Sequence, residues 1–353
     1  MNHPPVSVEP NLSSYEALAA LYNALMTGVV LSLVTRRGEE VTADFVQAHF
    51  RRQHLEKFLP GLRKLGLEEH PHAVACALYH YHSNALGGVK TEYLRESDRK
   101  AWVRYPPPRW IWRGTAVCAV PHNVNIAMLK GWHAYNGVSL KNPRLGFVCT
   151  GTITSGAPGL EGYYYEYDRP ITADERLRFT DHERMPRVDP AGQPQLDVVD
   201  WPEERRPKTF RSYAMEYVHS LIPTLIDLIG REAAVDEIGR TARFIGMQYY
   251  EEVVKTLGFP PNDGSPAVFA RLLSLLLAAQ GEDVLLDVQT PGRARVEIQG
   301  WRLMEGVALT REDQEASFRA WNELWIGAAL AHNRFMDLRV SGDLQETMVW
   351  SAT

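Results

Sequence analysis

The chain has 353 residues, of which 45% are hydrophobic and 23% charged, with a formal net charge of −5. That length exceeds what one hydrophobic core usually organises, so two domains are expected. The weak acidity, without blocks of like charge, indicates neither nucleic acid nor a membrane surface as a partner.

The opening "MNHPPVSVEP" has no basic region ahead of an apolar stretch, so a secretory signal is not expected. Next comes "ALAALYNALMTGVVLSLV" (17 to 34), interrupted by Tyr22, Asn23, Thr27 and Ser32 and divided by Gly28. A bilayer span needs about 20 strongly apolar residues, so a buried helix is the expectation. Three cysteines, Cys76, Cys118 and Cys149, are an odd number in a chain too large to need stapling, which points to a reducing cytoplasm.

Further along, the chain repeats itself. "GEEVTADFVQAHFRRQHLEKFLPGLRKLGL" (38 to 67) lies over "GREAAVDEIGRTARFIGMQYYEEVVKTLGF" (230 to 259) without a gap, matching Gly38 to Gly230 and Gly66 to Gly258. The first segment leads into an apolar helix (72 to 86), strands "GVKTEYL" and "KAWVRY", a helix around "NVNIAMLKGWHAYNG", then "RLGFVCTGTI" and "EGYYYEYD". The second leads into "AVFARLLSLLLAAQ", strands "EDVLLDVQ" and "ARVEIQGW", the helix "REDQEASFRAWNELWIGAALAHN", then "FMDLRVS" and "LQETMVW". Helices rest on apolar spacing near 3.6, strands on short runs of β-branched and aromatic residues bounded by turn residues. The expected fold is α+β: two tandem homologous domains, each helices, β-hairpin, helix, β-hairpin, forming a pseudo-dimer. The boundaries would be 1–175, a Pro- and charge-rich exposed linker over 176–207, and 208–353. Homo-oligomerisation is compatible with this pattern.

The halves differ in chemistry. All three cysteines and nine of twelve histidines lie in the first half. The site is therefore expected there, with the second half mainly structural. In "HPHAVACALYHYH" (70 to 82), four-residue spacing puts His72, Cys76 and His80 on one helical face, leaving His70 and His82 as bystanders. That stripe suits either a metal such as zinc or iron, or a thiolate held by a neighbouring histidine; otherwise no cofactor is expected. Against both stands a plain core cysteine. In "VPHNVNIAMLKGWHAYNG", His122, Ile126, Leu129 and His133 share a helical face beside Trp132, making His133 a candidate general base unless a backbone carbonyl satisfies it. Its matched position in the second half is Asn322, after Trp321. Leu145, Phe147 and Cys149 share one strand face, so Cys149 is a nucleophile candidate if His133 or His80 is near and an inert buried thiol if not. The aromatic density around Trp112 and Tyr164, with Trp132, suits a flat ligand, and Arg104, Arg109 and Arg113 could take its carboxylate, although cross-strand packing explains such aromatics equally well. No phosphate loop, dinucleotide fingerprint, Gly-x-Ser-x-Gly elbow or Cys-x-x-Cys pair occurs.

The ending "WNELWIGAALAHNRFMDLRVSGDLQETMVW" resembles the helix-then-hairpin close of the L-2-amino-thiazoline-4-carboxylic acid hydrolase family. It is similar, more distantly, to ligand-binding domains of the 4-vinyl reductase type. The first resemblance implies cleavage of a carbon-nitrogen bond in a small ring by cysteine chemistry. Members place cysteine in the terminal hairpin; this half has none, and only Cys149, in the corresponding hairpin of the first half, could keep that role. The second resemblance implies binding of a small hydrophobic ligand without turnover. The expectation is a hydrolase or lyase acting on a small aromatic or cyclic carboxylated compound through Cys149, His133, Cys76 and His80, with Trp112, Trp132, Arg104 and Tyr164 binding substrate. The alternatives are a small-ligand sensor or scaffold, and a metal-dependent enzyme using His72, Cys76 and His80.

Overall fold

A computed structural model of the chain describes residues 4–108, 113–195, 205–260 and 263–353. In chain order the elements are β1 (Val6–Ser7), α1 (Leu12–Arg37), α2 (Glu39–Lys64), α3 (His72–Leu86), β2 (Glu92–Ser97), β3 (Lys100–Tyr105), α4 (His122–Gly131), α5 (Asn136–Ser139), β4 (Leu145–Gly151), β5 (Leu160–Glu166) and β6 (Leu177–Phe179). There follow α6 (Arg205–Ile229), α7 (Arg231–Leu257), α8 (Pro266–Gln280), β7 (Val284–Thr290), β8 (Arg293–Gln299), α9 (Arg311–His332), β9 (Leu338–Gly342) and β10 (Thr347–Ala352). The fold is α+β with two sheets.

Two compact units form: a middle unit, Val30–Glu203, and a terminal unit joining Met1–Val29 to Glu204–Thr353. One division falls inside α1, which was expected to lie wholly in the first domain; the other, between Glu203 and Glu204, falls at the end of the expected linker (176–207), beside the expected start of the second domain at 208. The first 29 residues join the terminal unit because β1 pairs with β7 (Val6 opposite Leu286) and the buried Tyr22 hydroxyl bonds to Gln280 and, at 3.0 Å, receives the Trp321 indole N–H. Helix α1 is long and apolar enough to cross a membrane, yet 61% of its apolar stretch is buried within the protein.

Each unit carries the same core sheet. In the middle unit the strand order is β2-β3-β5-β4-β6, and in the terminal unit β1-β7-β8-β10-β9. Four strands run in one order in both, and the fifth is added on opposite edges. The glycines that the sequence aligned occupy matching backbone states. Gly38 (φ 90) and Gly230 (φ 82) open α2 and α7, and Gly66 (φ 66) and Gly258 (φ 73) close them. Positive φ is easy only for glycine, so local backbone geometry required both pairs. Helix α3 packs on β3 and β5 of its sheet, and α8 on β7 and β8 of the other.

One local expectation is refined and one corrected. Residues 176–195 are largely exposed, as expected, yet they also dock on the middle unit: β6 pairs in parallel with β4, Met185 is buried against Trp102, Val148 and Tyr163, and the Gln193 side chain bonds both backbone groups of Tyr93 (2.8 and 3.0 Å). The prolines and charges set the average composition, while Met185 and Val188, spaced among them, pack on Trp102, Val148 and Tyr163 of the sheet. Residues 196–204 of that stretch lie outside the described residues. The helix expected through Asn136 breaks after Gly131 into a 3-10 turn, His133–Tyr135, before α5. A Cβ at Gly131 would lie 2.3 Å from the Gln47 carbonyl oxygen of α2, a backbone approach that only glycine permits. His133 therefore leaves the face it was expected to share with His122, which is exposed and pairs with Thr154 (3.1 Å).

Candidate functional site

The break after α4 turns His133 inward, onto α3. Its ring stacks on His80 with centroids 4.3 Å apart and planes 9° apart. Tyr164, from the centre of β5, lies parallel to both at 5.9 Å. Phe147 of β4 closes one side, 4.6 Å from His133, and the Tyr105 hydroxyl lies 3.5 Å from His133 Nε2. Trp132 stands edge-on to His80 (5.9 Å) and to His54 of α2 (5.5 Å). Asn136, fully buried, donates from Nδ2 to the Tyr164 hydroxyl (3.0 Å) and has polar contact with Cys76 and His54. Folding thus gathers Cys76, His80, His133, Trp132 and Tyr164.

Two members were missed from sequence, His54 and Asn136. Asn136 read only as a helix terminator, and His54 belonged to no stripe. In the terminal unit Asn322 accepts from the Trp350 indole (2.7 Å).

These side chains are buried, and burial governs their chemistry. Burial pushes the Cys76 thiol far up, with the Asn136 contact opposing only in part. Burial likewise pushes Cys149 up to about 12, because a buried thiolate would lose its hydration. A register shift between Cys149 and Gly151 interrupts the ladder, and the Cys149 sulfur lies 3.6 Å from the Gly151 carbonyl. The charged groups acting on it are Glu161, which raises it further, and Arg184, which opposes. Native-state alkylation is expected to label the exposed Cys118 first and leave Cys76 and Cys149 protected until unfolding, as read by peptide mass spectrometry. Labelling of Cys76 or Cys149 as fast as Cys118 would show a poised thiolate and overturn this account.

Arg104 does not wait for a ligand carboxylate: it pairs with Glu92 and lies 3.8 Å from Glu161. Trp112 and Arg109 lie outside the described residues. The donor atoms of His72, Cys76 and His80 do not gather within 4.8 Å of one another, the convergence a shared ion needs. His72 instead ends the stripe at the surface, where it lines a cleft.

That cleft, about 590 Å³ and open to solvent, is formed where the N-terminus of α3 meets the turn after α5, with His70, His72, Lys141, Asn142, Arg144 and Glu166 among its walls. The turn closes through Lys141 N–H to Val138 O (3.1 Å) and Asn142 N–H to Gly137 O (2.8 Å), the pattern that places a left-handed residue after a helix. Lys141 occupies that position with φ 54, where glycine is usual, and is the one positive-φ non-glycine among the described residues. Its ammonium makes no ion pair among the described residues, whereas Arg144 is held by Glu166 (2.5 Å). Asn142 is nearly buried and bonds His72 Nδ1 and Glu166 Oε2, each at 3.0 Å. The sequence signal was the Asn142-Pro143 turn pair, which marks a loop without saying what faces it. No protein-family model, no curated protein and no solved structure matches the chain.

Proposed function

We propose that this protein binds a small carboxylated molecule in the cleft of the middle unit, as a ligand-binding protein and not a cysteine hydrolase. The observation that carries this reading is Lys141, a lysine without an ion pair among the described residues, held left-handed in the lining of a cleft of about 590 Å³. A left-handed non-glycine residue costs about 1 kcal/mol or more, and such strain concentrates at functional positions. The volume falls within the range of small-molecule sites. Two buried thiols with raised pKa values weigh against covalent catalysis and favour the binding implied by the resemblance to 4-vinyl reductase-type domains. The common strand order and the matched glycines support descent of the two units from one ancestor, with the apolar α8 marking the half that serves as scaffold. Three free cysteines suit a reducing cytoplasm.

Replacement of Lys141 separates function from fold. Lys141→Gly is expected to stabilise the chain by about 1 kcal/mol through relief of the left-handed strain. The same variant should weaken carboxylate binding about tenfold through loss of one charge-assisted contact. Denaturant titration and calorimetric titration with benzoate read the two effects. Binding unchanged in Lys141→Gly would remove the lysine from the site.

A further inference from the structure

Asn142 makes three hydrogen bonds that together leave its amide one orientation. The Arg144 backbone N–H donates to Oδ1 (3.0 Å), so Oδ1 is the acceptor end. The two hydrogens on Nδ2 then go to Glu166 Oε2 and His72 Nδ1, each at 3.0 Å. A flipped amide would set Nδ2 against the Arg144 N–H and Oδ1 against the Glu166 carboxylate, losing the first two bonds at once. His72 Nδ1 must therefore accept, and the ring proton lies on Nε2. Glu166 is in turn held by Arg144 (2.5 Å), and Asn142 is 9% exposed, so the lock has little freedom to turn.

We infer that Asn142 is a positioning residue for specificity: by holding His72 in the Nε2–H form it makes the cleft offer donors, with Lys141, to a planar oxyanion. This rests on the proposed binding at that cleft and adds what selects the ligand there. His72 Nε2 has no protein partner among the described residues and belongs to a ring lining the cleft. With Nε2–H and the Lys141 ammonium both donating, a ligand that brings acceptors is matched. One that brings only donors is opposed by these two groups and finds acceptors only at the Glu69 and Glu166 carboxylates, the second already engaged by Arg144 and Asn142. The cleft also lies at the start of α3, whose N-cap Pro71 supplies no side-chain cap, so the helix end adds a favourable potential for an anion. The lysine and the imidazole carry the selection.

The test uses the full chain with benzoate and benzamidine, planar molecules of one shape that carry only acceptors or only donors at the charged end. Nitrogen NMR of the histidine rings is expected to show His72 as the Nε2–H tautomer. Benzoate should move the His72 Nε2 and Lys141 signals, with benzamidine at least about tenfold weaker, the worth of one charge-assisted hydrogen bond. In Asn142→Asp the new carboxylate accepts from the ring, so the tautomer should switch to Nδ1–H and benzoate should weaken by a similar factor. The wild-type tautomer decides the point even if that variant does not fold. An Nδ1–H ring in the wild type, or benzamidine binding as tightly as benzoate, overturns the inference. A correct tautomer with neither probe bound leaves the lock standing but overturns the proposed binding and, with it, the assigned selectivity.

Discussion

Gly246→Ala is expected to destabilise the chain by about 3 kcal/mol or more, the upper end of overpacking costs. Helices α7 and α9 lie backbone against backbone. A Cβ at Gly246 would sit 2.0 Å from the Leu324 carbonyl oxygen and 2.9 Å from the Ala328 nitrogen, and one at Gly327 would sit 2.1 Å from the Arg243 carbonyl oxygen. No side-chain rotation relieves a clash between backbone atoms, so the helices must part along their whole contact. Gly239, in the same helix, is the control. A Cβ there meets its nearest neighbours at 3.4 and 3.6 Å, ordinary contact. Gly239→Ala should therefore stabilise by up to about 1 kcal/mol through helix propensity. Denaturation midpoints of the two variants should move in opposite directions; equal shifts would mean that composition, and not the close approach, governs both sites.

The second large effect is loss of stability on mild acidification. Burial pushes His54 down to about 3, and the Arg51 guanidinium, which donates to its Nδ1 at 2.8 Å, adds to the depression against an opposing contact from Asn136. Burial pushes His82 down to about 4, with His70 reinforcing it. In the unfolded chain both rings take protons near about 6.5. Between the folded and unfolded values the unfolded chain binds more protons, so stability falls as pH falls. The slope approaches about 1.4 kcal/mol per pH unit for each ring. His54→Phe keeps the stack on Phe58 (5.0 Å) and removes the titration. It is expected to abolish about 2 kcal/mol of the loss between about pH 7 and pH 5. Urea midpoints at the two pH values measure this for variant and parent alike, and identical pH dependence in the two proteins would rule out His54 as a buried neutral ring.

Much of the architecture was legible along the chain because it is written in local terms. Gly38, Gly66, Gly230 and Gly258 announced two helices of one kind, since a positive φ is a property of single residues. The stripe of His72, Cys76 and His80 was legible for a similar reason, as four-residue spacing repeats the helical turn. The docking of β6 and Met185 was hidden because the apolar residues are few and are separated by the polar run Asp181 to Arg184. The turn of His133 onto His80 was hidden as well: it follows directly on the close approach of Gly131 to Gln47, more than 80 residues earlier.

The sequence by itself determined an α+β chain of two like patterns with its cysteines and most of its histidines in one of them. Periodicity and backbone preference act over a few residues, and a few residues suffice to show them. Tertiary structure alone decided what those side chains can do. Burial raises the Cys76 thiol far above its ordinary value, and His72 is a donor because Asn142, 70 positions later, takes its other nitrogen. Protonation and hydrogen-bond polarity depend on which distant groups replace water, and that choice is made only when the chain has closed on itself.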